Sequence, residues 1–259
     1  MDEDKSEQLL SVTADSSAQL NDIITSDFDV VTTPSMISVI KEYSPSAGSI
    51  ERGVSAAASG TRSDIEHRYQ LSGDIIIINQ IDMPGVMDGH KSRVFSACFN
   101  PKSAHELISG GWDDTVQFWD TRQAHSFRFI SGVHMCGDGL DISRNGKEIL
   151  TCAWQNKDPL QLWDYDSGRL IANLEPDSYS SLLYTGKYVT NMFVACGGCD
   201  IDLFRIVDLR SHATVAMIKY LRSGVYCLDI GPFQSKYVKL PKLAFCAGTT
   251  IFEVDAQPS

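Results

Sequence analysis

One stretch, SGGWDDTVQFWDTR at residues 109–122, returns along the chain at a fixed interval. Its Trp119-Asp120 recurs 44 residues later as Trp163-Asp164, and after another 44 as the degraded Val207-Asp208. A last echo, Val254-Asp255, follows 47 residues further on. Each copy is preceded by an apolar run ending in small residues: ISGG, LTCA, VACGG and FCAG. A period of this length means that one supersecondary unit is built several times, and that each unit must bury its apolar side against its neighbours.

The local texture identifies the unit. After residue 70, short runs such as RVFSACF, HELISGG, TVQFWD, KEILTCAW, LQLWD, DLFRIVD and TIFEVD alternate with Gly, Asp, Asn and Pro turns. Short, evenly spaced strands without helical periodicity predict an all-β sandwich, barrel or propeller. In the best copy, Leu107–Ser109 is read as one strand, Gly110–Asp114 as a turn and Thr115–Trp119 as the next strand. Alternation then turns Val116 and Phe118 to one face, and Gln117 and Trp119 to the other.

These residues resemble the WD-repeat family, whose unit runs from Gly-His to Trp-Asp over about thirty residues and folds as a four-stranded propeller blade. The resemblance is sharp over 89–164, where Gly89-His90 precedes Trp119-Asp120, and diffuse over 75–255. It implies an all-β propeller of about four recognisable blades, as a small ring, an open arc completed by another chain, or part of a longer protein. It also implies a hydrogen-bonded tetrad of His90, Ser109, Asp113 and Trp119. An indole only donates, hydroxyl and neutral imidazole do both, and a carboxylate only accepts. A relay Trp119→Ser109→His90→Asp113 therefore satisfies every member, without the cleft that a Ser-His-Asp hydrolase needs. Later copies depart from the pattern. Val133 stands where His90 stands, with His134 one place off, and Cys196 replaces Ser109 where the Trp is lost. The last copy stops after three strands, and DIIIINQI at 74–81 is the expected fourth.

Domain organisation divides near residue 68. Residues 1–68 read as a mostly disordered, acidic, Ser-Ala-Gly-rich segment, and 69–259 as the propeller region. Within the first part, FDVVTTPSMISVIKEY predicts a strand or two, broken or placed at an edge by Pro34. The net charge of −11 is concentrated early, with 15 acids against 5 bases in 1–88 and near balance beyond. No basic footprint for nucleic acid results, and no polybasic patch for a membrane. No apolar run approaches the ~18 residues of a membrane span.

Cofactor and metal chemistry find no foothold in the sequence. The six histidines lack ligand spacing, and Cys196-Gly-Gly-Cys199 is a CxxC without a second pair. No phosphate loop and no nucleophile elbow occur. Seven scattered cysteines read as free thiols of a cytoplasmic or nuclear protein. The expected role is a non-enzymatic scaffold that binds a protein or peptide through propeller loops. A propeller hydrolase would need convergent acids and histidines, which are missing. A narrower expectation comes from resemblance: Trp119-Asp120-Thr121-Arg122 is similar to the WDxR ending by which some WD-repeat proteins dock onto the adaptor of cullin-RING ubiquitin ligases. Arg122 would offer a planar fork to a carboxylate, and Arg210 in VDLR is a weaker echo. An uncovered blade face also predicts self-association.

Overall fold

The computed structural model describes residues 29–32, 36–43, 89–123, 125–174, 176–232 and 240–258, of which 29–32, 36–43 and 256–258 are described by backbone alone. All regular structure among them is strand. Two strands precede the blades, β1 (Asp29–Thr32) and β2 (Met36–Tyr43). Blade 1 contains β3 (Val94–Phe99), β4 (Glu106–Gly111), β5 (Thr115–Asp120) and β6 (Arg128–Ser131). Blade 2 contains β7 (Leu140–Ile142), β8 (Glu148–Cys152), β9 (Leu160–Asp164) and β10 (Leu170–Asn173). Blade 3 contains β11 (Leu182–Tyr188), β12 (Phe193–Cys199), β13 (Phe204–Asp208) and β14 (Ala213–Lys219). Blade 4 contains β15 (Val225–Ile230), β16 (Leu243–Ala247) and β17 (Thr250–Pro258). Consecutive strands of each blade pair antiparallel, so the chain meanders from the inner strand outward and then steps to the next blade. The repeat is thus four blades of a β-propeller.

Blade 4 is completed by a strand from the N-terminal part. β2 pairs antiparallel with β17 along its length, from Tyr43 opposite Ile251 to Met36 opposite Pro258. This corrects the expectation that 74–81 supplies that strand; those residues lie outside the described ones. β1 likewise adds to the outer edge of blade 3, with Asp29 opposite Lys219 and Thr32 opposite Ala216. In the sequence the two strands lie on either side of Pro34, which is itself outside the described residues. Most of the expected disordered segment, 1–28 and 44–68, lies outside the described residues.

Each pair of neighbouring blades shares one core. Ile108, Val116 and Phe118 of blade 1 meet Leu140, Ile142 and Ile149 of blade 2. Leu150, Leu160 and Leu162 meet Leu183, Val194 and Val207 of blade 3. Phe204, Ile206 and Ile218 meet Phe245, Phe252 and Val254 of blade 4, where Phe245 stacks on Phe204 and Phe252 at ring separations of 4.3 and 4.7 Å. Ile149 and Leu150 are successive residues of β8 and serve different cores, the expected outcome when a strand has both faces covered. Among the described residues, three such cores join four blades, and none joins blade 4 back to blade 1.

Candidate functional site

The turn from β4 to β5 holds the polar centre of blade 1. Trp119 Nε1 donates to Ser109 Oγ at 2.7 Å. Ser109 Oγ lies 2.7 Å from His90 Nε2 and donates to it. The other ring nitrogen, Nδ1, is 2.9 Å from Asp113 Oδ2 and 3.0 Å from Oδ1, and donates to the carboxylate. With both nitrogens engaged, only the Nδ1–H tautomer leaves every group matched. Asp113 also accepts from Lys91 N at 2.7 Å and Thr115 Oγ1 at 2.9 Å. Burial pushes this carboxyl up, but the Lys91 amide, the His90 ring and the Thr115 hydroxyl together hold it below the usual carboxylate value. Chemically the array is a clasp: it ties the segment entering blade 1 to a turn nineteen or more residues away. Gly111 lies at the same place, where a Cβ would stand 2.2 Å from the Arg93 carbonyl oxygen.

The later blades hold their entering segments by other means. In blade 2 the indole of Trp163 donates to Thr151 Oγ1 at 3.0 Å. His134 does not take the place of His90. Its Nδ1 instead lies 2.5 Å from Asp114 Oδ1 of blade 1, and its amide donates to Gln155 Oε1 at 3.0 Å. In blade 3 an ion pair replaces the tetrad. Arg205 of β13 is buried, and its Nη1 donates to both carboxylate oxygens of Asp177 at 3.1 and 3.0 Å, while Nη2 donates to the Tyr179 carbonyl at 2.9 Å. Thr214 Oγ1 donates to the same carboxylate. Sequence reasoning missed this pair. The signal was an arginine in β13 at the register position of Gln117 and Gln161, where the strand is buried on both sides.

The WDxR segment is closed on itself. Arg122 Nε donates to Asp120 Oδ1 at 2.9 Å and Nη2 to Oδ2 at 2.6 Å, so the guanidinium fork already holds a carboxylate. That pairing lowers Asp120 to about 2. Arg210 repeats the arrangement on Asp208, with both bonds at 3.2 Å.

A second feature, also missed from the sequence, runs across the blades. Phe95 tilts against Trp112 with ring centroids 5.7 Å apart, Trp112 stacks on His134 at 6.0 Å, and His134 meets Trp154 at 6.2 Å. The Trp154 indole neighbours the Tyr184 hydroxyl, and Tyr184 packs on Tyr226 at 4.9 Å. One continuous row of rings therefore passes over all four blades. Arg93 lies 5.4 Å from the Trp112 ring centroid, a cation held over a π face. Burial and the Cys199 thiol push the Tyr184 hydroxyl up to about 12, which keeps it protonated at neutral pH. Phe95, Trp112, Trp154 and Tyr226 are 39, 42, 37 and 52 % exposed, too much for core packing alone. The readable signal was that Trp112 and Trp154 each open the turn between the second and third strands of a blade.

Blade geometry and the repeat define one class, a β-propeller, and its first blade is similar to a WD repeat. Residues 83–120 match the family model described as the WD domain, G-beta repeat. Protein tipD of Dictyostelium discoideum is 27% identical over 112 residues, which is 43% of this chain and 18% of that protein. The ribosome biogenesis protein WDR12 homolog of Brugia malayi is 26% identical over 129 residues, 46% of this chain and 27% of that protein. The matches thus span 18% and 27% of these relatives' own lengths. Among solved structures, that of U3-55K is similar, with a TM-score of 0.49 and 12% identity over 62% of this chain and 47% of that one.

Proposed function

We propose that the chain is a non-enzymatic protein-interaction scaffold and that the aromatic row from Phe95 to Tyr226 is its docking surface. The observation that carries this reading is the row itself. Exposed aromatics joined across four blades bury large area at low side-chain entropy cost, and Trp and Tyr keep a polar handle for peptide groups. The cores beneath keep the rings in place, and a preorganised surface loses less freedom on binding. The name of the Brugia malayi relative makes ribosome-assembly factors the first partners to look for. A cytoplasmic or nuclear location is part of this proposal, and the seven free thiols support it.

The test compares the parent with a Trp112→Ala/Trp154→Ala variant as baits in cell lysate, with captured proteins identified by mass spectrometry. The variant should melt close to the parent, because both rings are partly exposed, and should lose its specific partners. Undiminished capture by a folded variant sinks this surface. Light scattering on the purified chain separates a second copy from a foreign partner. The ubiquitin-ligase reading requires Arg122 to leave Asp120 before it can hold an adaptor carboxylate. It is the weaker proposal, and its own check is loss of a cullin-RING adaptor on Arg122→Ala.

A further inference from the structure

The fold sorts cysteines that look scattered in the sequence. Cys152 of β8 and Cys196 of β12 are neighbours inside the core between blades 2 and 3, and both are buried. Cys199, the other half of the CxxC, is associated instead with Tyr184 and Cys136. The CxxC of the sequence is therefore no pair in space. Cys227 of β15 and Cys246 of β16 are a pair: they stand directly opposite each other across the antiparallel ladder. Their neighbours Leu228, Phe245 and Ala247 point into the core shared with blade 3, so both thiols lie on the other face of the sheet. Cys227 is exposed and Cys246 half-buried. A register shift between Val225 and Cys227 interrupts the ladder beside them.

We propose that Cys227 and Cys246 form a peroxide-sensitive disulfide site. Opposite residues of an antiparallel pair have Cβ atoms about 4.5–5.5 Å apart, and a disulfide needs about 3.5–4.5 Å. The gap is small, and the bulge supplies the local freedom to close it. Cys227 meets solvent first, so its thiolate attacks a peroxide oxygen, breaking the O–O bond to give a sulfenic acid and water. The Cys246 thiolate then attacks the Cys227 sulfur, and hydroxide departs to take a proton as the second water. Two thiols and one hydrogen peroxide become one disulfide and two waters, the thiols being oxidised and the peroxide reduced. Burial and the neighbouring Cys246 hold the Cys227 thiol above its usual value, so little of it is thiolate at neutral pH and the reaction is slow. The buried Cys152 and Cys196 have no comparable access. Cys227 follows Tyr226, so closure would also fix the backbone at the end of the aromatic row.

The full chain, reduced and then exposed to hydrogen peroxide, is digested under non-reducing conditions and mapped by mass spectrometry. The first product should be an intramolecular Cys227–Cys246 link, lighter by two hydrogens and reversed by dithiothreitol. In Cys246→Ser the sequence should stop at a Cys227 sulfenic acid trapped by dimedone. The proposal is overturned if Cys227 stays reduced, passes to sulfinic acid while Cys246 remains a thiol, or links two chains. If Cys246→Ser does not fold, the map of the parent decides alone. None of these outcomes depends on partner binding.

Discussion

At the residue scale, the clasp at Asp113 is where chemistry and stability are most closely joined. Three groups donate to this carboxylate, the His90 ring, the Lys91 amide and the Thr115 hydroxyl, and His90 links it to the Ser109–Trp119 relay, so His90, Ser109, Asp113 and Trp119 form one chain. Asp113→Ala leaves buried donors unmatched and should cost about 2 kcal/mol of folding stability, read as a lower denaturation midpoint. Arg122→Ala, which removes an exposed partner, should leave the denaturation midpoint close to the parent's. The acid profile has a defined sign. The folded pKa of Asp113 lies below its unfolded value of about 4. Its contribution is therefore complete above that value and is lost as pH falls through the folded pKa. The difference between parent and Asp113→Ala should shrink in that acid window. A difference that stays constant down to the lowest pH tested rules out the clasp as its source. These four residues were legible in the sequence because they sit at fixed places in a repeat and their donor and acceptor capacities close into one chain. The Arg205–Asp177 pair was not, because the two residues meet only after the segment before blade 3 folds back over β13.

At the scale of elements, each blade secures its inner segment differently, and the substitutions should report it. Arg205→Ala strands the Asp177 carboxylate against blade 3 and should cost about 3 kcal/mol, since breaking one side of a buried pair costs more than the pair contributes. The double variant Arg205→Met/Asp177→Ala should recover much of that loss. A double variant as unstable as the single one means that geometry other than the ion pair is at fault. The outer strands carry a second prediction. Deleting residues 36–43 uncovers the β17 edge, so amides of β17 should exchange faster while those of β5 keep their protection. Equal protection of β17 in both proteins would remove β2 from blade 4. The sequence suggested strands around Pro34, and local pattern was enough for that. It misassigned the fourth strand of blade 4 to 74–81 because local propensity carries no information about which edge a strand will reach.

At the scale of the whole molecule, four blades behave as a one-dimensional stack, each leaning on the next through a separate core. The consequence is a rigid support with a series of turns above it, and the aromatic row lies there. The number of blades and the face that Val116 and Phe118 bury were set by the sequence alone, because a 44-residue period and two-residue alternation are properties of a single chain read in order. Only the tertiary structure decided which strand completes blade 4, which thiols become neighbours, and that Phe95, Trp112, His134, Trp154, Tyr184 and Tyr226 form one surface. Those outcomes join residues from different blades. Their distances are fixed by the radial packing of the sheets, which no local pattern encodes.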